Sequence, residues 1–484
     1  MRWLERQGYD VSYWTGVDAD RYAERLAKSA AHKLYVSVGH DEYWSGPQRA
    51  AVEAARDRGM HLAFLSGNEV FWRTRWEEDT SGASHRTLVV YKDTQSVAKL
   101  DPEPGEWTGT WRDGRAINPL GAAPENALTG TIFTVNAWRN DPLLVPARYG
   151  AHRFWRNTSV AAAAEAAAEA AAAGGGGGGG EGEVTALVQG LLGHEWDEDI
   201  DNGHRPPGLQ HLSETVVDNV QYIFDEGAHY DTGTGTHHLT LYRHAGSGAL
   251  VFGAGTPQWS WGLDGHHDLV GGIDLRVGAN CYSLRVGADL THPSGNRDIQ
   301  QATTNLLADM GVVPATPQGG VVVTAASADA EAPSVAPQAI FDGTVDASSI
   351  SGAAEDSGGG IVAAVEVLLP GSGGHWHPAS VHLGDGSWHF TPPQDSELGA
   401  KMREAAAAAA ANGQASDAVA TMAELLTVKV RAADDSGNMC EPAEVSVMDM
   451  TEAGITVAAE VSPAGTATAS ASSTSSSRRR GDQY

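Results

Sequence analysis

The chain has 484 residues and a formal net charge of -29, from Lys+Arg 32 against Asp+Glu 61. That length allows two or three domains around a large core and excludes a single small module, while the charge opposes nucleic acid or an anionic membrane as main partner. Its two cysteines, Cys281 and Cys440, fall in regions that read as different domains, which excludes a disulfide framework, a zinc finger and an iron–sulfur centre.

Residues 1 to about 125 read as alternating helix and strand. A helix tail at 3–7 closes on Gly8, followed by a strand at 11–14, a helix at 20–31 and an apolar strand at 33–38. A helix over 47–58, stopped by Gly59, leads to a strand at 61–65 that ends in Ser66-Gly67-Asn68-Glu69. This rhythm predicts βαβ units, hence a parallel sheet covered by helices. Because the first element is a helix tail, the chain reads as starting inside such a unit.

From Trp107 to about Val312 the pattern becomes β-rich and tryptophan-rich, with apolar runs at 131–135, 238–242 and 249–252. Polyalanine and seven consecutive glycines at 161–183 interrupt it, and this low-complexity insertion is expected to be disordered or partly helical, outside any unique core. A closing helix is expected over 300–310, with Ala302, Leu306, Leu307 and Met310 on one face. Residues 313–340 read as a linker, and 341–450 as a small antiparallel β-sandwich with a polyalanine insertion at 405–411. The tail at 451–484 reads as disordered. No apolar run approaches the roughly 18 residues of a membrane span, and no signal core or other address is legible, so the compartment stays open.

The most informative stretch comes directly after the 34–38 strand: Gly39-His40-Asp41-Glu42-Tyr43-Trp44. A glycine break that opens onto proton-transfer and metal-ligand side chains is how a sheet presents chemistry at the carboxyl end of a strand. His40 and Glu42 are two apart and would point the same way on an extended segment, one able to ligate a metal while the other handles protons. The competing reading is a helix N-terminus with solvated acidic groups, since Ser45-Gly46-Pro47 opens a helical pattern. The zinc-deaminase pattern fails for want of a later Cys-x-x-Cys. Neither a Gly-x-Ser-x-Gly elbow nor a phosphate loop occurs.

The densest acidic cluster, 194–202, could supply carboxylates for acid/base work or bind calcium, or it could be a solvated loop. Of each pair His237-His238 and His266-His267, at most one member could serve a given site. Trp72, Trp76, Trp259 and Trp261 read as core rather than as a sugar platform.

Several strings together carry a family resemblance. Arg2-Trp3-Leu4-Glu5-Arg6-Gln7-Gly8-Tyr9-Asp10-Val11-Ser12-Tyr13, Val38-Gly39-His40-Asp41-Glu42-Tyr43-Trp44-Ser45 and Ser66-Gly67-Asn68-Glu69-Val70-Phe71-Trp72 resemble the carboxyl-terminal part of the N,N-dimethylformamidase large (beta) subunit family. Pro124-Glu125-Asn126-Ala127-Leu128-Thr129-Gly130, Glu195-Trp196-Asp197-Glu198-Asp199 and Val251-Phe252-Gly253-Ala254-Gly255-Thr256 extend it, so the resemblance covers about residues 1–312.

The resemblance implies an amidohydrolase of small linear amides using mononuclear nonheme iron (Fe3+) held by two tyrosines and one glutamate. Glu42 resembles that glutamate ligand, His40 the catalytic histidine, and Glu195 the glutamate that helps activate water. A hard Lewis acid would polarise the amide carbonyl while the His/Glu pair moves protons to the leaving amine. The family's tyrosine ligands lie upstream of the matched region, and no motif promotes Tyr9, Tyr13, Tyr35 or Tyr43 to that role. The expectation is therefore an incomplete catalytic unit.

The implied fold is an α/β core, flavodoxin-like or class I amidotransferase-like, with a β-rich extension and a C-terminal immunoglobulin-like β-sandwich that serves docking or homo-oligomer contact. The rival reading is a noncatalytic protein, without the metal site, that binds glycans or another protein.

Overall fold

The computed structural model describes residues 1–137, 139–173, 183–193, 195–264, 295–336, 338–343, 348–393, 396, 399–400 and 427–449. The expectations placed on Cys281, His266-His267, 405–411, 451–484 and the glycine run lie outside the described residues.

At the centre is a five-stranded mixed sheet in the order Leu34–Val38, His61–Leu65, Leu250–Gly253, Thr240–Arg243, Gln210–His211. The first two joints are parallel and the others antiparallel. The helix Gly46–Asp57 makes the one crossover between Leu34–Val38 and His61–Leu65. Ser45 caps it by accepting from the Gln48 N–H at 3.2 Å, Pro47 lies in its first turn, and Gly59 stands just past its end at φ +99°.

Alternation along the strands loads both faces. Leu62, Phe64 and Val251 pack with Val52 and Ala51 of that helix. Ala63, Leu65 and Phe252 pack on the other face with Trp155, Trp259 and the helix Arg297–Asp309, whose Ile299, Ala302, Leu306 and Leu307 are buried. The amphipathic reading of 300–310 matches this helix.

The α/β reading is overturned. Strand makes up 29% of the structure and helix 21%, and most pairings are antiparallel. The reason lies after Leu65. Instead of entering a second crossover helix, the chain turns sharply through left-handed Asn68 and Val70, at φ 50° and 57°, into the short strands Trp72–Glu77 and Thr87–Val89. Upstream, 11–14 forms no strand, and the expected helix at 20–31 is broken at Tyr22 into Gly16–Arg21 and Ala23–Ala27.

The β-rich region then closes a four-stranded antiparallel barrel from Ile132–Asn136, Glu195–Glu198, Thr215–Ile223 and Tyr230–His237. Trp196, Val135, Val217 and Val220 pack together in one buried cluster. A side chain at Gly235 would collide with Trp196 at 2.6 Å and Val135 at 2.7 Å, so glycine is what lets this barrel close on a tryptophan.

The polyalanine run takes the helical of its two expected forms, but it does not stay outside the core. It continues a helix, Ser159–Ala172, capped by Thr158, that buries Val160, Ala164 and Ala167. Its face meets Gly150, where an added Cβ would stand 2.7 Å from that of Ala164.

Past the 313–333 segment, eight strands form a further sheet with its own core of Ile350, Val365, Val367, Trp388, Val428 and Val430. Seven of them run in one circuit, because Ser348–Glu355 pairs with both Gln338–Gly343 and Ser387–Phe390. The described strands of this expected small antiparallel sandwich thus join in one continuous, mostly antiparallel ring. Among the described residues no helix is long and apolar enough to cross a membrane.

Candidate active site

The two parallel strands Leu34–Val38 and His61–Leu65 end in register, Val38 opposite Leu65, and their continuations emerge side by side. Backbone bonds then tie them together. Val70 N–H donates to the Asp41 carbonyl at 3.1 Å, and the Phe71 and Trp72 N–H groups donate to the Glu42 carbonyl at 3.0 and 2.9 Å. The His40 loop is therefore bolted to the Ser66–Trp72 segment rather than left as a solvated helix N-terminus.

Glu195 arrives from the barrel. Because Trp196 packs in the barrel cluster, strand alternation turns Glu195 and Asp197 to the opposite face. Asp197 anchors that face by accepting from the Asn68 N–H at 2.7 Å and the Thr131 hydroxyl at 2.9 Å. Asn68 Nδ2 in turn donates to Glu195 at 3.1 Å.

His40 stands between the two glutamates. Its Nε2 is 3.1 Å from a Glu195 carboxylate oxygen and 3.3 Å from one of Glu42. The Glu42 and Glu195 side chains are each 16% exposed and that of His40 43%, so the imidazole faces an opening while the carboxylates line its inner wall. Burial opposes charge on His40. The hydrogen bond to Glu42, the charges of Glu195 and Glu42, and the Gly67 backbone outweigh it and lift the imidazole to about 9.

Beneath this trio lies a second, drier layer of acids. Glu69 is buried, and neither carboxyl oxygen has a hydrogen-bond partner of ordinary geometry. Burial and then the charges of Asp41 and Asp197 push it well above the usual carboxylate range, offset only by the Ser37 hydroxyl, which donates to Asp41 at 2.9 Å. Asp41 is raised chiefly by burial, and Asp197 to about 6 for the same reason. Burial also pushes the Tyr230 phenol to about 12, with Glu42 and Glu195 adding to it.

The three residues singled out from sequence, His40, Glu42 and Glu195, are thus brought together. Asn68, Glu69, Asp197 and Tyr230 were missed as participants. Asn68 and Glu69 had a signal: like His40, they come after the end of a buried strand and a glycine. Asp197 and Tyr230 become partners only through the barrel.

As a donor set for ferric iron, the site offers hard anionic oxygens from Glu42 and Glu195, and Glu42 fits a ligand role by chemistry and placement. No tyrosine hydroxyl is bonded to Glu42 among the described residues. Groups of three ligand atoms within 4.8 Å of one another occur elsewhere, at Asp201, His375 and His377 and at Asp329, Asp356 and Asp434.

A family model described as N,N-dimethylformamidase beta subunit-like, C-terminal, matches residues 1–270. That stretch holds the central sheet, the barrel and every residue of the site above. No curated protein matches the chain.

Proposed function

The chain belongs to the N,N-dimethylformamidase beta subunit-like family, and from this premise we propose that it hydrolyses the C–N bond of small linear amides with the help of mononuclear nonheme iron. The observation that carries the reading is the placement of His40 within hydrogen-bonding reach of both Glu42, from the loop after the central strand Leu34–Val38, and Glu195, from the barrel. Amide hydrolysis needs a base to take a proton from water and an acid to give one to the departing nitrogen. A histidine between two carboxylates can carry a proton from one task to the other.

In this reading Glu42 would be a ligand, and the ion when bound would supply Lewis-acid polarisation of the amide carbonyl. Glu195 accepts the proton of the attacking water, with Asn68 Nδ2 fixing its carboxylate. His40 Nε2 holds the proton that the leaving amine requires. The strained Asn68 and Val70 backbone holds these groups in place, as left-handed non-glycine residues do where the surroundings over-determine them.

The test measures iron content and amine release together on purified protein. His40→Asn should retain iron and lose roughly 10²–10⁴-fold in turnover, the usual contribution of a general acid–base group. Glu42→Gln should lose iron and activity together. Iron at parental occupancy in Glu42→Gln would remove Glu42 from the metal shell, and undiminished amine release in His40→Asn would overturn the mechanism.

A further inference from the structure

A second cluster of ligating side chains lies away from this site, where the body meets the C-terminal sheet. Asp201 lies on a loop after the Glu195–Glu198 strand. His375 and His377 flank Trp376 at the start of the strand Trp376–Val381 and, being two apart, share a face. Asp201 Oδ1 is 2.5 Å from His375 Nε2, and Oδ2 is 2.7 Å from His377 Nδ1. The two imidazoles stack at 4.3 Å between centroids.

The surrounding charges explain why this carboxylate is left to the histidines. Arg205 is held by Asp199 at 2.8 Å and Glu366 at 3.0 Å, and its last nitrogen donates to the Leu209 carbonyl. Arg431 binds Glu366 at 2.6 Å and lies over the Trp376 ring. Two guanidinium groups are thus matched by two carboxylates. Asp201 is a third carboxylate, and its hydrogen-bond partners are two imidazoles.

We propose that Asp201, His375 and His377 form a binding site for a divalent transition metal of the zinc class, pinning the C-terminal sheet to the catalytic body. Two imidazole nitrogens with one carboxylate select zinc-like ions over calcium or magnesium, which take oxygen donors. Side-chain exposures of 28%, 31% and 12% for Asp201, His375 and His377 leave room for water as a fourth ligand. Tetrahedral coordination at about 2.0–2.1 Å would set the ligand atoms roughly 3.3 Å apart. The His375 imidazole must therefore draw back by about 0.8 Å and that of His377 by about 0.6 Å. The turn before His375 permits that movement, since Gly373 and Gly374 have positive φ and open space around them.

The test uses metal-free, untagged chain titrated with Co2+ and then Zn2+. Cobalt in a four-coordinate histidine and carboxylate site should give visible absorption bands that zinc abolishes, and zinc should raise the melting temperature. His377→Ala and Asp201→Asn should each weaken zinc binding at least ten-fold, whereas Asp356→Asn, in the all-oxygen cluster, should leave it unchanged. Near-ultraviolet circular dichroism reports folding, and Asp201→Asn, on a loop, stands in should a histidine variant unfold. Zinc bound equally by the folded Asp201→Asn or His377→Ala protein, or no cobalt bands from the folded parent, would overturn the proposal.

Discussion

Val38 and Leu65 are paired across a parallel joint, and the site is built from the few residues on the carboxyl side of each. His40 and Glu42 continue one strand, Asn68 and Glu69 the other, and the two continuations lie close enough to share backbone hydrogen bonds.

Gly67, at the turn of the second continuation, faces the backbone of Gly255, where an added Cβ would stand 2.8 Å from the Gly255 carbonyl carbon. Backbone cannot rotate away as a side chain can. Gly67→Ala should destabilise by about 1–3 kcal/mol through overpacking, and displace Asn68 from Asp197. Chemical denaturation measures the first effect and amine release the second. An alanine variant with parental stability would show that this contact is loose.

Burial, with the charges of Asp41 and Asp197 beside it, pushes Glu69 well above the usual carboxylate range. Its folded pKa is raised, so the stability it contributes is present below its unfolded value and is lost as pH rises through the folded one. Glu69→Gln removes the titration at equal size. Its melting temperature should equal or exceed that of the parent, with the gain growing toward alkaline pH. A lower melting temperature at pH 8 would mean that the ionised carboxylate is needed.

Histidines that burial holds below their ordinary value, His152 among them, help set the acid limit. Burial lowers His61 to about 4, aided by the charges of Arg243 and Lys33; burial lowers His211 to about 4 and His237 to about 3. All stay neutral in the fold while the unfolded chain takes up protons below about 6.5. Stability is therefore complete above that pH and falls as the solution is acidified toward 4. Asp197, raised to about 6, opposes part of this fall. The His61 Nδ1 accepts the Leu250 N–H at 2.8 Å, which a glutamine oxygen can also do. His61→Gln should flatten the melting-temperature profile between pH 6.5 and 4, and parallel profiles would assign the acid sensitivity elsewhere.

Arg112 and Glu125 form a buried pair, with Arg112 Nη2 at 2.7 Å and Nε at 3.1 Å from the same carboxylate oxygen. Arg112→Ala should cost about 3–5 kcal/mol because it strands a buried charge. The double variant Arg112→Leu with Glu125→Leu should recover part of that loss in urea titrations. If the single and double variants are equally unstable, packing rather than charge holds this pair.

The polyalanine helix gives a local test of core membership. Ala164 and Ala167 are buried against the body, and Ala164→Glu would force a carboxylate against Gly150. A loss of about 1–3 kcal/mol is expected. Ala166→Glu, at a position exposed on the same helix, should be nearly silent. Equal effects from both would return this segment to the status of a surface insertion.

The strands at 34–38 and 61–65 and the helices at 47–58 and 300–310 were legible because apolar periodicity and glycine stops act locally. The segment 11–14 carries the same β-prone residues yet forms no strand. Among the described residues no strand pairs with it, and Tyr13 and Trp14 remain 57% and 37% exposed. The helix of the alanine run was among the expected forms, but its docking was not legible, because composition says nothing about a glycine elsewhere, Gly150, that lets a bare helix dock. At the site, His40 and Glu42 were readable from their place after a strand. Glu195 sat in an acidic cluster like many others, and only the barrel, by packing Trp196 among Val135, Val217 and Val220, turns it toward His40.

The ring drawn by the C-terminal strands bears on how this protein meets its own kind. A sheet with free margins exposes a row of idle amide and carbonyl groups that can recruit a strand from another molecule, which is the usual start of fibrous association. Here Ser348–Glu355 and Ser387–Phe390 occupy each other's margins, and the short strand Ser334–Val335 takes up the last residues of the former. Among the described residues of this sheet, few backbone groups at these strands are therefore left for another copy to recruit. A contact between copies at these paired strands would rest on side chains, where charge and shape can regulate it.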